Sequence, residues 1–409
     1  MTVPTLPLAG VRVVELDDGD AQYTGMLLAA LGADVVKVEP PGGAPARSAG
    51  PFVGGVDDGA HSLPFLHYNV AKRSVVLDLD RPADRAALHE LVAAADVLLD
   101  GLGPNGAAAH GLDDDTLEVL APGLVHVLVT PFGRTGPWRD HRASDVVSMS
   151  LGGVTGQTGY DAVGDEPGTP ITPVGHQPRH FGGVLAAVYA VAALRDRPAH
   201  RVRTLDVALH DSIAVSTEIP VSLWEFGGQE VFRHTGRHAA AVLHNPEWQF
   251  RCADGGYLCA LTLYLNDRRF AAILDWFDGA GFAHDLHAER FVAEADRVAN
   301  MAEIVDAIAR FCAGRDSVEL FHEAQRRALP WARIQPVAAV AADPHLHARE
   351  FFTPVEGPDG TPVPHPGLPW RGMPTVFTAP PGRVRAPHAG EDTATVLGTL
   401  RAADPVAGG

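Results

Sequence analysis

Cysteine is scarce in this sequence of 409 residues, which contains only Cys252, Cys259 and Cys312. Three cysteines with no Cys-x-x-Cys pair cannot form a disulfide framework, so we expect the protein in a reducing compartment, the cytoplasm. Long apolar runs are also lacking, because none reaches the ~18 residues that a membrane-spanning helix needs. Residues 1–10 place no basic residue ahead of an apolar stretch, so no signal peptide is expected.

Positive charge is in short supply as well, with 32 Lys and Arg residues against 50 Asp and Glu residues and a net charge of −18. Nucleic-acid phosphates require a basic surface, so this balance argues against a nucleic-acid partner. An anionic small molecule is still compatible, since a local basic pocket can act against the field of the whole protein. With 46% hydrophobic and 20% charged residues, the composition is that of a soluble globular protein.

The first half of the sequence alternates short apolar stretches with segments of helical spacing. A strand is predicted at each of the stretches 12–16, 35–39, 74–79, 97–100, 124–130 and 203–207. Pro82 opens one of the intervening helices, at a position that tolerates the missing N–H. Strands separated by helices predict parallel βαβ units. The predicted fold is therefore α/β, with a doubly wound parallel sheet.

The character of the sequence changes after this region, which indicates a second domain. A turn-rich stretch, a short apolar strand and amphipathic helices near 267–277 and 301–313 predict a smaller α+β domain. From about residue 335 the chain becomes rich in proline and is predicted to be extended. We therefore predict a large, Rossmann-like α/β domain over 1–210, a small domain over 225–330, and a tail over 335–409 that returns to the large domain.

Six ordered blocks, spread over nearly the whole sequence, form a pattern that is specific when they are taken together. They lie at 7–16 (PLAGVRVVEL), 31–43 (LGADVVKVEPPGG), 69–79 (NVAKRSVVLDL), 132–137 (FGRTGP), 206–209 (DVAL) and 342–346 (ADPHL). In these blocks the sequence resembles the family III CoA-transferases, also called the CaiB/BaiF family. The resemblance implies a dimer of two chains threaded through each other as interlocked rings. It also implies that acyl-CoA binds between the large domain of one subunit and the small domain of its partner.

The resemblance further implies a covalent mechanism. In the family's transferases an aspartate carboxylate attacks the acyl-CoA thioester and forms a mixed anhydride, and the released CoA thiolate passes to an acceptor acid. The expected ligands are therefore a small carboxylic acid and its coenzyme A thioester.

A basic residue occupies the position of that aspartate in this sequence. Counting back from the small-residue helix 181–194 places the aspartate on Arg179, and matching the Phe-Gly-Gly run to the family's racemases places it on His180. Arginine stays protonated and cannot act as a nucleophile, whereas the acyl-imidazole of a histidine would hydrolyse readily. The racemases' histidine partner, which would precede Asp145, is Ser144 here, so the racemase reaction loses both partners.

His180 is the strongest catalytic candidate, as a general acid or base oriented by the nearby carboxylate of Asp145. The alternative is a histidine at a helix N-terminus with no catalytic role. Arg179 could hold a substrate carboxylate through a bidentate pair, or belong to an ordinary surface ion pair. No metal is predicted, because Pro178 separates His176 from His180 and no carboxylate completes a ligand pattern.

Five residues are candidate contacts to coenzyme A, namely Lys72, Asn69, Arg73, Arg47 and Gln22. Lys72 is the strongest of them because it follows Asn69 in a block that matches well. The alternative for Lys72 is a solvated lysine before a strand. Ala109 stands where an arginine usually meets the CoA phosphate, so CoA binding is expected to be weakened.

Three functions are compatible with this sequence. The first is an acyl-CoA transferase or related acyl-CoA enzyme with a displaced or substituted nucleophile. The second is another reaction on the same scaffold, by an isomerase or racemase, a lyase or a cyclase, with or without CoA. The third is a catalytically silent subunit in a heteromer with an aspartate-bearing relative. Because the scaffold blocks persist, we take a transferase-like enzyme, expected as a homodimer, as the main hypothesis.

Overall fold

A computed structural model describes residues 5–16, 19–160, 168–196, 200–231, 233, 247–260, 265–377 and 384–403 of the chain. The chain divides into two compact units. The large unit comprises Met1–Val154, Pro173–Thr217 and His345–Gly409, and the small unit comprises Thr155–Thr172 and Glu218–Pro344. The domain boundaries predicted from the sequence, at 1–210, 225–330 and 335–409, stay predictions.

A six-stranded sheet forms the centre of the large unit. Its strands are β1 (Arg12–Leu16), β2 (Asp34–Glu39), β3 (Arg73–Val76), β4 (Val97–Asp100), β5 (Val125–Thr130) and β6 (Arg203–Ala208). They lie in the order β3-β2-β1-β4-β5-β6, and every neighbouring pair is parallel. In this register Val14 of β1 lies between Val36 of β2 and Leu98 of β4. The predicted α/β fold with a parallel sheet is confirmed.

Both faces of the sheet are buried, because successive residues of a strand point to opposite sides. Val13 packs into one apolar cluster with Ala186 and Ala190. Val14, its neighbour in β1, packs into a second cluster with Leu88 and Leu98. Strands covered on both faces need apolar residues at consecutive positions, which is why short runs of Val and Leu predicted them from the sequence.

In the described part of the chain, seven helices of the large unit accompany these strands, together with one short helix whose residues belong mostly to the small unit. They are α1 (Gln22–Ala30), α2 (Leu63–Tyr68), α3 (Pro82–Ala93), α4 (Asp114–Leu120), α5 (Asp145–Leu151), α6 (Val154–Gln157), α7 (Gln177–Arg195) and α8 (Leu209–Ala214), with 3-10 helices at Pro45–Ser48, Val53–Gly55, Ala108–His110 and Val215–Thr217. Helices α1 and α7 pack closely, since the hydroxyl of Thr24 donates to the carbonyl oxygen of Gly183 at 3.2 Å. A Cβ at Gly183 would lie 3.0 Å from the Tyr23 ring, so a glycine suits this contact.

The strand order reverses between β1 and β4, which makes this the topological switch point of the sheet. In open α/β sheets, ligands bind outside the carboxyl ends of the strands at such a point. At that edge β1 leads through a short connection into α1. Helix α7 precedes β6 and runs opposite to it, so α7 begins at the same edge. We call this place, with the first turns of α1 and α7, the ligand edge.

The small unit is built around an antiparallel sheet of three strands. These are β7 (Gln249–Arg251), β8 (Tyr257–Ala260) and β9 (Trp331–Ile334), with β8 in the middle. Its helices are α9 (Glu218–Gly227), α10 (Asp267–Gly279), α11 (Glu294–Ala299), α12 (Met301–Ala313), α13 (Ser317–Arg326) and α14 (Val337–Ala341), with a 3-10 helix at Glu289–Phe291. In α12, Ile304, Ile308 and Phe311 repeat at helical spacing and are all buried. The predicted α+β character of this region is confirmed.

The C-terminal segment is less extended than its proline content predicts. It contains α15 (Pro344–Ala348), the antiparallel strands β10 (Phe352–Glu356) and β11 (Pro362–Pro366), and α16 (Thr393–Ala403). Helix α16 packs on α3 and β3. The N–H of Ala71 donates to the carbonyl oxygen of Arg385, and that of Val376 to Ala30, each at 3.0 Å. Within the described ranges, every helix is too short or too polar to span a lipid bilayer.

Candidate functional site

Two tyrosines and a histidine meet at the ligand edge. Tyr23 lies in α1, Tyr68 ends α2, and His180 lies in the first turn of α7. The ring centroids of Tyr23 and His180 are 4.6 Å apart. The Oη of Tyr68 lies 2.9 Å from His180 Nε2. The histidine that the sequence singled out therefore has a hydroxyl as its hydrogen-bond partner.

Burial sets the protonation of this group. Burial lowers the pKa of His180, an effect that His176 increases and the Asp145 charge opposes. Burial also raises the pKa of Tyr68 to about 12. At neutral pH the imidazole is thus uncharged and the phenol keeps its proton, so Tyr68 can donate to Nε2. This arrangement is suited to moving a proton at the ligand edge.

Asp145 lies next to His176, at the approach to α7. Its Oδ1 is 4.0 Å from His176 Nδ1, and this oxygen is buried with no hydrogen-bond partner among the described residues. His176 has a φ of 54°, in the left-handed region that is unfavourable for a residue with a Cβ. The charge of Asp145 acts on the pKa of His180, while an orienting role for Asp145 stays a prediction.

Arg179 is paired with a carboxylate that the sequence analysis did not assign to the site. Its Nε donates to Asp20 Oδ1 at 3.0 Å. Asp20 lies in the connection between β1 and α1. The pair is partly buried, with 36% of the Arg179 side chain and 19% of the Asp20 side chain exposed. Arg179 is therefore held toward the end of β1, at the ligand edge.

The sequence contains two lysines, and both are fully buried against one carboxylate. Lys72 Nζ donates to Glu15 Oε2 at 2.7 Å, and Lys37 Nζ donates to Glu15 Oε1 at 3.0 Å. Lys72 also donates to the carbonyl oxygen of Gln22 at 3.0 Å and to Asn69 Oδ1 at 3.1 Å. The Nδ2 of Asn69 donates to Gln22 Oε1 at 2.7 Å. Three predicted cofactor contacts thus form one buried network.

This buried network requires a glycine in α1. A Cβ at Gly25 would overlap Glu15 Oε2 and lie 2.9 Å from Lys72 Nζ. Because Gly25 has no side chain, helix α1 lies close to β1, and the Glu15–Lys72 ion pair occupies the space that a side chain at position 25 would need. Such an enclosed arrangement holds α1, β1 and β2 together, and contact of these residues with coenzyme A stays a prediction.

The two predicted arginine contacts are also paired with carboxylates. Arg47 donates to both oxygens of Glu39, from Nε at 2.6 Å and from Nη2 at 2.7 Å. Burial raises the pKa of Glu39, but the Arg47 pair and the Ser74 hydroxyl outweigh burial, so the pKa lies below its usual value. Arg73 makes a bidentate pair with Asp34, at 2.8 and 2.5 Å, that is more exposed. Contact of either arginine with a phosphate stays a prediction.

A second pair of imidazoles lies beside Tyr68. His67 Nδ1 and His365 Nε2 are 3.0 Å apart and join α2 to β11. The two rings line a cavity of about 310 Å³ whose other walls are mainly apolar, with Leu63, Leu66, Val355, Val363, Pro364 and Ala386. Burial, together with His365 and His180, lowers the pKa of His67 to about 3.

We expect acid to destabilise the large unit through His67. In the unfolded chain the imidazole has its ordinary pKa of 6.5, whereas in the folded protein the pKa is about 3. Between these values the unfolded chain binds the additional proton, so the free energy of unfolding falls by about 1.4 kcal/mol per pH unit on acidification. Urea unfolding of the wild type and of His67→Gln across this interval measures the effect. The variant should show the shallower pH dependence, and equal slopes would contradict the assignment.

Among the residues that the structure describes, one group of possible metal ligands is found in the small unit, formed by Asp278, His284 and His287. The Asp278 carboxylate lies 3.0 Å from His284 Nε2 and 2.8 Å from His287 Nε2. The N–H of Leu286 donates to His284 Nδ1 at 3.2 Å, so Nε2 carries the proton of the neutral ring. A metal would need the lone pair of that nitrogen, which favours a carboxylate–histidine contact at the end of α10. The prediction of no metal stays a prediction.

The doubly wound parallel sheet and the smaller antiparallel unit define an α/β protein of the class that binds ligands at the carboxyl ends of its parallel strands. Residues 8–393 match the sequence profile of the family described as CoA-transferase family III. The chain therefore belongs to the family III CoA-transferases and is a CoA-transferase-like enzyme.

Relatives of the chain match it over nearly its whole length. It is 30% identical over 409 residues to the succinate–glutarate CoA-transferase of Agrobacterium fabrum, and the aligned region covers 96% of each protein. It is 28% identical over 392 residues to the succinyl-CoA:(R)-benzylsuccinate CoA-transferase subunit BbsE of Thauera aromatica. The aligned region covers 94% of this chain and 92% of the relative. It is similar to the crystal structure of a CaiB/BaiF family protein from Brucella suis, with a TM-score of 0.78 at 25% identity over 96% of this chain and 99% of the other.

Sequence reasoning found His180 and Arg179 but missed the side chains that contact them. Asp20 could have been found, because an acidic residue shortly after a buried parallel strand lies where such sheets bind ligands. Nothing in the local pattern marks Tyr68 or His67, since their partners lie 112 and 298 residues away.

Proposed function

We propose that this protein transfers coenzyme A between small carboxylic acids, and that at least one of these acids is a dicarboxylate such as succinate or glutarate. The match over 409 residues to a succinate–glutarate CoA-transferase carries this proposal. The relative from Thauera aromatica is also named for succinyl-CoA. Both matches extend across the large and the small unit, so they include the whole scaffold and not one motif.

The ligand edge is proposed to present a cation where the resemblance places the family's nucleophile. The Arg179 guanidinium can bind a substrate carboxylate or stabilise the oxyanion that forms at a thioester carbonyl. The usual catalytic aspartate is proposed to be absent from this position, so an attacking carboxylate has to come from another part of the chain. The proposed cofactor contacts are Lys72, Asn69, Gln22, Arg47 and Arg73. To contact coenzyme A, these side chains have to exchange their present ion pairs and hydrogen bonds for contacts with the cofactor.

The test is an exchange assay with succinyl-CoA as donor and glutarate as acceptor. Glutaryl-CoA, detected by mass spectrometry, is expected only when the protein and the acceptor are both present. Reactions without glutarate and reactions with heat-denatured protein are the controls. A folded protein that binds succinyl-CoA but exchanges it with neither glutarate nor benzylsuccinate would contradict the proposal.

Proton transfer next to the thioester is the second candidate function, and the Tyr68–His180 contact of 2.9 Å favours it. An uncharged imidazole can remove the proton next to a thioester carbonyl, and the imidazolium that results can return a proton to that carbon. Running the same assay in deuterated water separates the two functions. The second candidate would be established if the wild type incorporates deuterium at the α-carbon of the donor without exchanging CoA, and if the His180→Gln variant no longer incorporates it.

A homodimer of interlocked chains is the proposed assembly, and a heteromer with an aspartate-bearing relative is the alternative. Exposed apolar side chains along α7, which include Phe181, Val188 and Tyr189, support contact with another chain. The name of the Thauera aromatica relative, a subunit, supports the alternative. Exchange that appears only after such a relative is added would identify this chain as a silent subunit. A cytoplasmic location, expected from the few cysteines, is part of the proposal.

A further inference from the structure

Asp20 is an accessible carboxylate at the ligand edge. It lies in the connection from β1 to α1, and Arg179 Nε donates to its Oδ1 at 3.0 Å. With 19% of its side chain exposed, Asp20 is partly open to solvent. Both residues belong to the large unit, so the pair does not depend on the placement of the small unit.

Three carboxylates near this edge, those of Glu15, Glu39 and Asp100, are enclosed. Glu15 is fully buried between two lysines, and Glu39 is buried against Arg47. Asp100, at the end of β4, is buried, and its two oxygens accept N–H groups from the loop that follows. Among these four acidic side chains, Asp20 alone combines exposure to solvent with a cation at the ligand edge.

Asp20 and Arg179 each lie near the N-terminus of a helix, and the positive charge of a helix N-terminus affects the two side chains differently. Asp20 lies two residues before α1, and the positive end of a helix favours a carboxylate there. Arg179 is the third residue of α7, where the same effect disfavours a cation unless an anion is near. The Asp20 carboxylate is therefore attracted both by the Arg179 guanidinium, which donates to it, and by the positive end of α1, which begins two residues later.

We propose that Asp20 is the carboxylate that attacks the thioester, with Arg179 as its positioning residue; this rests on the proposed transferase function. An Asp20 oxygen adds to the thioester carbonyl carbon, the C–S bond breaks, and CoA leaves as a thiolate. The thiolate then attacks the aspartyl carbonyl of the anhydride, which releases the donor acid as a carboxylate and leaves Asp20 as a CoA thioester.

The second half of the reaction reverses these steps with the acceptor acid. The acceptor carboxylate attacks the aspartyl thioester and expels the thiolate, which forms a new anhydride. Attack of the thiolate on the acceptor carbonyl yields the new acyl-CoA and regenerates the Asp20 carboxylate. One thioester and one carboxylate enter, one of each leaves, and no oxidant or reductant is needed.

Trapping with hydroxylamine, followed by mass mapping of peptides, tests the assignment. Wild-type protein with succinyl-CoA and hydroxylamine should form a hydroxamate on Asp20. Background acylation of lysine side chains is expected to be low, because both lysines are buried. A hydroxamate on another carboxylate such as Asp145, with CoA exchange intact, would overturn the assignment and leave the proposed function standing. No exchange by the wild type would overturn both.

Variants provide the second test. Asp20→Asn is expected to lower turnover by at least about 100-fold with an unchanged melting temperature, and Asp20→Glu should still form a hydroxamate at this position. Glu391→Gln is the matched control, since it removes a carboxylate from a pair with Arg385 in which each side chain is 18% exposed. Arg179→Gln should lower kcat more than it changes KM, with partial rescue by Arg179→Lys. Wild-type turnover in Asp20→Asn would refute the proposal.

Discussion

Replacing Lys72 with methionine is expected to lower the free energy of unfolding of the large unit by about 3–5 kcal/mol. The substitution takes one cation away from Glu15, a carboxylate with no exposure to solvent. It also removes the donor to the carbonyl oxygen of Gln22 and to Asn69 Oδ1. Methionine is similar in length and apolar, so the loss reflects charge and hydrogen bonding and not an empty cavity.

Urea unfolding followed by circular dichroism measures this difference. Arg73→Met, at the next residue, is the matched control, because the Arg73–Asp34 pair is partly exposed and its loss should cost at most about 1 kcal/mol. The competing hypothesis is that Lys72 contacts a CoA phosphate. A Lys72→Met variant with wild-type stability and a raised KM for succinyl-CoA would support that hypothesis and contradict the structural role.

Trp331→Ala is expected to lower the free energy of unfolding of the small unit by about 3–5 kcal/mol. Trp331 is fully buried in the apolar cluster of that unit, and its ring centroid is 5.5 Å from that of Trp276. The same cluster contains Phe277 and Phe311, stacked with centroids 4.2 Å apart. Rigid rings around the vacated volume cannot collapse into it, so the cavity is expected to persist.

Chemical unfolding of Trp331→Ala and of Trp370→Ala distinguishes burial from the general effect of removing an indole. Trp370 is 38% exposed, and its replacement should change stability by less than about 1 kcal/mol. Similar losses in the two variants would mean that the cluster around Trp331 rearranges to fill the space.

The architecture could be predicted from local patterns of residues. Runs such as Val97–Asp100 and Val125–Thr130 have apolar residues on both faces of a strand, and they form β4 and β5 with nearly the predicted bounds. The helix predicted near 301–313 is α12, Met301–Ala313. Periodicity identifies such elements because the side chains that define them are close in sequence.

The partners of the site residues could not be predicted in the same way. Arg179 and Asp20 are 159 residues apart, and Tyr68 and His180 are 112 residues apart. No local period connects such positions, because the sheet order and the meeting of α1 with α7 bring them together. Lys72 shows the same limit: the sequence suggests a cofactor contact or else a solvated lysine before a strand, and the second interpretation is wrong because the fold buries Lys72 against Glu15.

By itself, the sequence determined the strands and helices with clear apolar patterns and the blocks typical of the family. These features follow from the identity and spacing of neighbouring residues. Tertiary structure decided that Glu15, Glu39 and Asp100 are enclosed while Asp20 is partly exposed, because burial depends on how distant strands and helices pack. The pairing of Asp20 with Arg179 at the ligand edge belongs to this second group.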